Sequence, residues 1–238
     1  MGKTLTLSII VPAFNEEESV ATLYEDICAN ASKLVSSKRI DDWDVWFVDD
    51  GSTDATGDKL VCLAHQHERV HLISFASNRG KSAALQAGFN HALGDIIITM
   101  DADLQDDPCE FERFLDKIDE GFDLVSGWKR KRHDPLEKRM ASKLFNTVTA
   151  KATGIPLHDF NCGFKAYRRA VIEHIHLSRD MHRYIPVLAA SAGFTCAEIE
   201  VAHHARKHGI SKYGAKRYVN GLTGFCRAMY QLKHPDHH

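Results

Sequence analysis

Two aspartates one residue apart, Asp101 and Asp103, close the apolar run Ile96–Thr99 in the stretch IIITMDADLQDD. Such a run, bounded by turn signals, reads as a buried strand of a parallel sheet. Side chains alternate along extended chain, so the two carboxylates are expected on one side of it. Ligands of open α/β sheets bind beyond the carboxyl ends of the strands. Two hard oxygen donors there suit Mg2+ or Mn2+ holding a diphosphate. The competing reading is a helix entry, with Asp106-Asp107-Pro108 as cap and first-turn proline. It accounts for Asp106 and Asp107 but not for Asp101 and Asp103, which come too early.

The elements that must position these acids follow from patterning. Leu5–Val11 predicts a strand ended by Pro12, and Asn15 is placed to cap a helix with Glu16, Glu17 and Glu18 in its first turn. Val20, Leu23, Ile27, Ala31 and Leu34 keep helical spacing. Trp43–Val48, Val70–Phe75 and Phe122–Gly127 predict further strands, with helices to about His67, Leu93 and Glu120. This strand–loop–helix repetition predicts an α/β fold with a mainly parallel central sheet flanked by helices. Every loop after a strand is rich in Asp, Asn, Glu and Gly, and all are expected at one sheet edge. Neither a P-loop nor a G-x-G-x-x-G is present, which disfavours an ordinary ATPase or dinucleotide enzyme.

Later in the chain, Leu136–Ala152 reads as a helix with Leu144, Phe145 and Val148 inward. Asp159–Tyr167 fits either a short strand or a loop. Arg168–His174 and Met181–Ser191 read as helices and Phe194–Val201 as a strand. His203–Gly214 reads as a charged loop and Ala215–Leu232 as an amphipathic helix. One domain over residues 1–238 is expected, since neither a linker nor an internal repeat is evident.

With 238 residues, 44% hydrophobic and 26% charged, the chain has the composition of a soluble globular protein. A net charge of −2 predicts no nucleic-acid partner. The cations are nevertheless clustered. Lys129, Arg130, Lys131, Arg132, Lys138, Arg139 and Lys143 form one zone, and the stretch from Val201 to Pro235 carries Lys and Arg but no acid. The six cysteines are scattered without a C-x-x-C, so reduced thiols in the cytoplasm are expected. The N-terminus lacks a signal-peptide core, and no apolar run is long enough to span a bilayer.

Taken together, PAFNEE at 12–17, VDDGSTD at 48–54, NRGKSAAL at 78–85 and DADLQDDP at 101–108 resemble the family 2 glycosyltransferases of GT-A-type fold. SGWKRKR at 126–132, HDFNCGFKAY at 158–167 and RKHGISKYG at 206–214 are similar to the dolichyl- and polyprenyl-phosphate branch. The resemblance implies a nucleotide-sugar donor, a lipid phosphate acceptor, Mg2+ or Mn2+ at Asp101 and Asp103, and work at the cytoplasmic face of a membrane. It assigns Pro12, Phe14 and Glu16 to the nucleotide loop, Val48 and Asp50 to base recognition, and Asn78, Gly80 and Lys81 to a loop beside the donor. Ala102 leaves room for ligand, and Gln105 lies near the sugar or metal. Arg206 and Lys212 are implied as phosphate cations. The family pattern G-x-R departs here to Gly127-Trp128-Lys129 followed by Arg130, so either cation is a candidate for that role. Asp159 is implied near the reacting centre, as a base or as the orienting partner of an arginine; the alternative is a structural acid paired with Arg168 or Arg169.

The resulting expectation is an inverting, metal-dependent transfer of a hexose from GDP-mannose or a UDP-hexose to a polyprenyl phosphate. Two alternatives remain: a family 2 enzyme acting on a saccharide or protein hydroxyl, and a nucleotide-sugar-binding module without turnover. The oligomeric state is not readable. The helix at 215–232 either lies on an anionic membrane surface, with Lys216, Arg217, Arg227 and Lys233 toward the head groups, or packs on the domain.

Overall fold

The computed structural model describes residues 5–130 and 136–204, with side chains from 145 onward in the second stretch. Seven strands form one sheet: β1 (Thr6–Ala13), β2 (Asp42–Asp49), β3 (Val70–Ser74), β4 (Ile96–Thr99), β5 (Leu124–Trp128), β6 (Lys165–Arg168) and β7 (Cys196–Glu200), in the spatial order β3-β2-β1-β4-β6-β5-β7. β1 to β4 are parallel, β6 runs antiparallel to both β4 and β5, and β7 is parallel to β5. The helices are α1 (Val20–Ser36), α2 (Thr56–Gln66), α3 (Lys81–His91), α4 (Phe111–Asp119), α5 (Leu136–Thr153), α6 (Arg169–His174) and α7 (Ile185–Ser191). Short 3-10 turns precede α4 (Pro108–Glu110) and α7 (Met181–Tyr184).

Alternation along the strands explains the layering. Leu7, Ile9 and Val11 of β1, with Ile96 and Ile98 of β4, pack under α1 and α4. Ile10 and Ile97 face the opposite way, against α3, α6 and α7. Helix α1 buries Val20, Leu23, Tyr24, Ile27, Ala31 and Leu34, and α4 buries Phe111, Phe114, Leu115 and Ile118, each set a single helical stripe. A sheet covered on both faces needs apolar strands throughout, and IIIT of β4 is buried at every position.

Several boundaries differ from the sequence expectation for identifiable reasons. Pro12 does not end β1, which runs on to Ala13 opposite Asp49. The Ile10 and Ala13 carbonyls accept from Met100 and Asp50 respectively, so Pro12 faces the β4 side, past the last β4 pairing at Ile10–Thr99. Its missing N–H therefore costs no ladder bond. Helix α1 starts at Val20, so Asn15 does not cap it and Glu16–Glu18 do not form its first turn. Val148 of α5 is exposed rather than inward. The stretch 159–167 is loop and then strand. Among the described residues no helix is long and apolar enough to cross a membrane. The loop and helix expected from 205 onward, including Arg206 and Lys212, lie outside the described residues.

Candidate active site

The carboxyl ends of β1, β2 and β3 are level, because Ala13 pairs Asp49 and Asp49 pairs Ser74. The loops after them are tied into one rim. Asn15, at φ 54°, accepts from the Thr53 amide at 2.7 Å, and its own amide donates to the Ser52 hydroxyl at 2.9 Å. The Glu16 amide donates to Thr56 Oγ1 at 2.8 Å, while Glu17 Oε2 accepts from the Ala55 amide at 3.0 Å. The Glu16 carboxylate lies against the Ser19 hydroxyl at 3.2 Å. Pro12, Phe14 and Glu16 remain partly exposed along this rim.

Asp50 holds the next loop. Its carboxylate accepts from the Arg79 amide at 2.7 Å and from the Gly80 amide at 2.9 Å. Capping of α2 is done elsewhere, by Asp54, which accepts from Thr56 N and Oγ1. Burial, ahead of any other influence, pushes the Asp50 carboxyl above its usual range. Gly51 sits at φ +69°, where a Cβ would lie 2.4 Å from the Ser77 carbonyl carbon, so only glycine lets the two loops meet. Asn78, whose amide nitrogen lies at that meeting point, is exposed. Val48 is wholly buried in the core, which makes it a packing residue rather than part of a binding surface.

Beyond β4 the chain leaves extended geometry. Residues 101–107 run through bends, with Leu104 at φ 59°, so strand alternation does not govern Asp101 and Asp103. The Asp101 carboxylate, about a third exposed at 33%, pairs with the Lys81 ammonium. Burial opposes its charge, but Lys81 and Lys129 outweigh that and hold the carboxyl well below the carboxylate range. Gly163 presses on it from behind: a Cβ there would lie 2.6 Å from Asp101 Oδ1. Asp103 is buried and accepts from the Gln105 amide at 3.3 Å. Ala102 is packed into the core, so its small size serves packing and not ligand clearance.

Asp106 is the residue that sequence reasoning missed. The capping role belongs to Asp107 alone, which accepts from the Cys109 amide at 2.9 Å. The Asp106 carboxylate turns inward, accepts from the Asp101 amide at 3.2 Å and meets Lys129 Nζ at 2.6 Å. Burial disfavours the Lys129 cation. Asp106, and beyond it Cys162 and Asp101, more than restore it and push its pKa above the ordinary lysine range. The two candidates Lys129 and Arg130 are placed differently. Lys129 enters the acid cluster, whereas Arg130 points outward to Glu200 at 3.3 Å and leans over Trp128. A basic residue just past a glycine was the available signal for Lys129; nothing local separates Asp106 from a cap.

Gln105 joins the acid loop to the chain before Arg206. Its side-chain amide donates to the His204 carbonyl at 3.2 Å, and its carbonyl accepts from the His204 amide at 3.0 Å. His204 Nε2 also meets Asp107 at 3.1 Å. Asp159 is wholly buried and accepts from the Asn161 amide at 3.2 Å. It is not the partner of Arg168 or Arg169, whose guanidiniums bond carbonyls of Phe122 and Ile118, and of Gly94.

The site thus gathers Asp101 and Asp103, with a buried Asp106–Lys129 pair beneath and Lys81 alongside. Its open oxygen donors are hard, and Asp101 is accessible and ionised, so the chemistry fits Mg2+ or Mn2+ rather than a soft metal. Among the described residues no three His, Cys, Asp or Glu side chains form a closed cage.

Comparison with known proteins places the chain in a family and bears on its fold. The chain is 35% identical over 237 residues to dodecaprenyl-phosphate galacturonate synthase of Rhizobium johnstonii, covering 98% of this chain and 69% of that protein. It is 38% identical over 216 residues to undecaprenyl-phosphate 4-deoxy-4-formamido-L-arabinose transferase of Salmonella paratyphi A, covering 90% of this chain but 64% of the relative. Among solved structures, glucosyl-3-phosphoglycerate synthase of Mycobacterium tuberculosis with Mn2+, UDP and phosphoglyceric acid superposes at TM-score 0.71 with 17% identity, over 98% of this chain and 80% of that one. Its complex with Mg2+ and UDP gives TM-score 0.69 over 95% and 80% of the two chains, at 18% identity. The model of the family described as glycosyl transferase family 2 matches residues 8–176, and this chain belongs to that family.

Proposed function

We propose that this chain transfers a glycosyl group from a nucleoside diphosphate sugar to a polyprenyl phosphate, with inversion at the anomeric carbon. The observation that carries the reading is the ionised, partly exposed Asp101 at the end of β4, flanked by Lys81 and backed by the buried Asp106–Lys129 pair. The names of the two relatives, each a polyprenyl-phosphate sugar enzyme, support the acceptor class.

Asp101 and Asp103 would hold Mg2+ or Mn2+, which when bound offsets the charge gathering on a departing diphosphate. The chain's own residues do the rest. The 12–17 and 48–54 loops shape the nucleotide cleft, and Asp50 fixes the 78–81 loop so that Lys81 stands beside the diphosphate. Lys129 pairs with the Asp106 carboxylate, which in turn accepts from the Asp101 amide and anchors that backbone. Arg206 and Lys212 supply cations for the acceptor phosphate. An acceptor phosphate oxygen attacks the anomeric carbon, the bond from that carbon to the diphosphate oxygen breaks, and the nucleoside diphosphate leaves with the electron pair. The attacking oxygen is already anionic, so the step requires no general base. Asp159, wholly buried, then orients the 159–161 turn through the Asn161 amide. The acceptor's lipid tail implies work at a membrane surface, and we place it at the cytoplasmic face.

The test is transfer from UDP-glucose, UDP-galacturonate and GDP-mannose to undecaprenyl phosphate in detergent, with Mn2+ or with EDTA. Glycolipid formed with Mn2+, lost with EDTA and lost in Arg206→Ala and Lys212→Ala, is expected. Transfer to a saccharide hydroxyl that survives both substitutions would overturn the acceptor assignment.

A further inference from the structure

A small cavity opens behind Asp101, on the α3 and α7 side of β4. It is lined by Lys81, Thr99, Asn161, Gly163, Lys165 and His182, with apolar closure from Leu85 and Ile185. Two of these residues connect it to the acid loop: Lys81 pairs with Asp101, and Gly163 presses on the same carboxylate.

His182 is fixed in this cavity by Ser82, the second residue of α3. The Ser82 hydroxyl accepts from the His182 backbone amide at 3.1 Å and lies 2.9 Å from His182 Nδ1. Nδ1 is the one acceptor beside the buried hydroxyl among the described residues, so Ser82 donates to it and the ring proton resides on Nε2. Nε2 has no hydrogen-bond partner among the described residues. Burial, and then the cations Lys81 and Arg183, push the imidazole pKa well below its usual value. The ring is therefore a neutral N–H donor of fixed tautomer, held at the cavity wall.

Lys165 adds to the same surface. Its side chain is buried, 1% exposed, and its ammonium donates to the carbonyls of Phe160 and Cys162. An ammonium has three N–H bonds, and these contacts use two. No carboxylate lies within ion-pair distance of it among the described residues. Burial pulls the Lys165 pKa below its usual value, while its two carbonyl contacts hold the nitrogen as a donor. With Lys81 and the His182 N–H, the wall is rich in N–H donors, the complement of an oxygen acceptor.

We infer that this cavity receives one substituent oxygen of the donor's glycosyl group, that His182 Nε2–H is the specificity contact to it, and that Ser82 is the positioning residue for His182. This rests on the donor reading above and deepens it: the preferred sugars carry a hydroxyl or carboxylate at that substituent, and not an amine. Only the edge of the sugar needs to enter, which suits the cavity's small size. Met181–Tyr184, the turn carrying His182, thereby becomes part of the donor site although it follows the acid loop by some eighty residues.

Titration calorimetry in Mn2+ tests it, comparing UDP-glucose, UDP-glucuronate and UDP-glucosamine with UDP, and GDP-mannose with GDP. His182→Phe removes the donor while keeping a planar ring. It should weaken the nucleotide sugar roughly tenfold, the scale of one lost hydrogen bond in a closed site, while leaving the free diphosphate within about twofold. His182→Asn, which restores an N–H donor, should recover part of the loss, and Ser82→Ala should show a smaller loss of the same pattern. UDP-glucosamine should bind more weakly than UDP-glucose. Thermal melts report whether each variant folds; if His182→Phe does not, His182→Asn and Ser82→Ala decide by the same ratio. Equal loss for sugar and diphosphate, or no loss for either, overturns the inference while leaving the donor reading intact. Failure of the unsubstituted chain to bind any of these nucleotides overturns both.

Discussion

Lys129 and Asp106 meet at 2.6 Å with the lysine side chain 10% exposed and the carboxylate wholly enclosed. The same carboxylate holds the Asp101 amide, so a buried ion pair underlies the loop that presents the acid pair. Removing one member leaves the other charged without a partner, which costs about 3–5 kcal/mol. Asp106→Asn and Lys129→Met are each expected to lower unfolding free energy by that amount in urea titrations, and to weaken Mn2+ binding as Asp101 loses its anchor. The double variant Lys129→Met/Asp106→Leu should recover part of the stability but not the metal affinity. A loss of stability with unchanged metal binding would show that the pair does not position the loop.

The pH dependence follows from Asp101. Its folded-state pKa lies below the ordinary carboxylate value, because Lys81 and Lys129 outweigh the burial that opposes its charge. A depressed acid contributes stability that is fully present above the unfolded pKa of about 4 and disappears as pH falls through the lower folded value. Urea titrations from pH 6 downward should therefore show falling stability below about pH 4, with a shallower fall in Asp101→Asn. The raised pKa of Lys129 acts at the other end: its contribution is present below the ordinary lysine range and is lost only as pH rises through the folded value.

Much of this site was legible from residue order because its strands announce themselves. Ile96–Thr99 is apolar at every position, and it is buried at every position. Asp101, Lys81 and Lys129 were each expected near the donor, and the structure brings all three together. What was not legible depends on chain segments far apart in sequence. The strand Lys165–Arg168 is short and opens on a lysine, which reads as solvent-facing; its place between β4 and β5 depends on pairings with residues far earlier in the chain, the nearest being Ser126 with Lys165, and on two carbonyls that satisfy the ammonium. Asp106 sits in an Asp-Asp-Pro sequence whose local meaning is a helix cap, and only the neighbouring Asp107 uses it so. His182 lies in a turn with no motif, and its partner Ser82 is 100 residues earlier. Val48 and Ala102 sit inside recognisable motifs yet their side chains pack into the core: Val48 lies on β2, where side chains alternate between faces, and Ala102 lies in the bend after β4.

Gly163 constrains the Asp101 carboxylate directly. A methyl group at position 163 would lie 2.6 Å from Asp101 Oδ1 and 2.9 Å from its carboxyl carbon, closer than atoms can approach. Either the carboxylate rotates away or the 161–163 turn moves, at about 1–3 kcal/mol for overpacking. Gly163→Ala should therefore bind Mn2+ roughly tenfold more weakly while melting as a cooperative unit, since a tenfold change needs only about 1.4 kcal/mol at the ion. Unchanged Mn2+ affinity in a folded Gly163→Ala would mean that Asp101 does not hold the ion.

Lys81 yields the prediction with the least intuitive sign. Its ammonium occupies one oxygen of Asp101, the place where a divalent ion would bind. The pair is partly exposed, so it is worth no more than about 1 kcal/mol, and an arriving cation must displace it. Lys81→Met should then bind Mn2+ alone a few-fold more tightly, up to about fivefold, in a paramagnetic titration without nucleotide. With a nucleotide sugar present the sign reverses: the displaced ammonium has the diphosphate beside it, and removing it takes away that contact. The same variant should bind UDP-glucose or GDP-mannose more weakly and turn over more slowly. Tighter metal with weaker donor is the signature of a lysine that exchanges one anion for another. If both affinities fall together, Lys81 instead supports Asp101 as a fixed part of the metal loop, and the exchange is excluded.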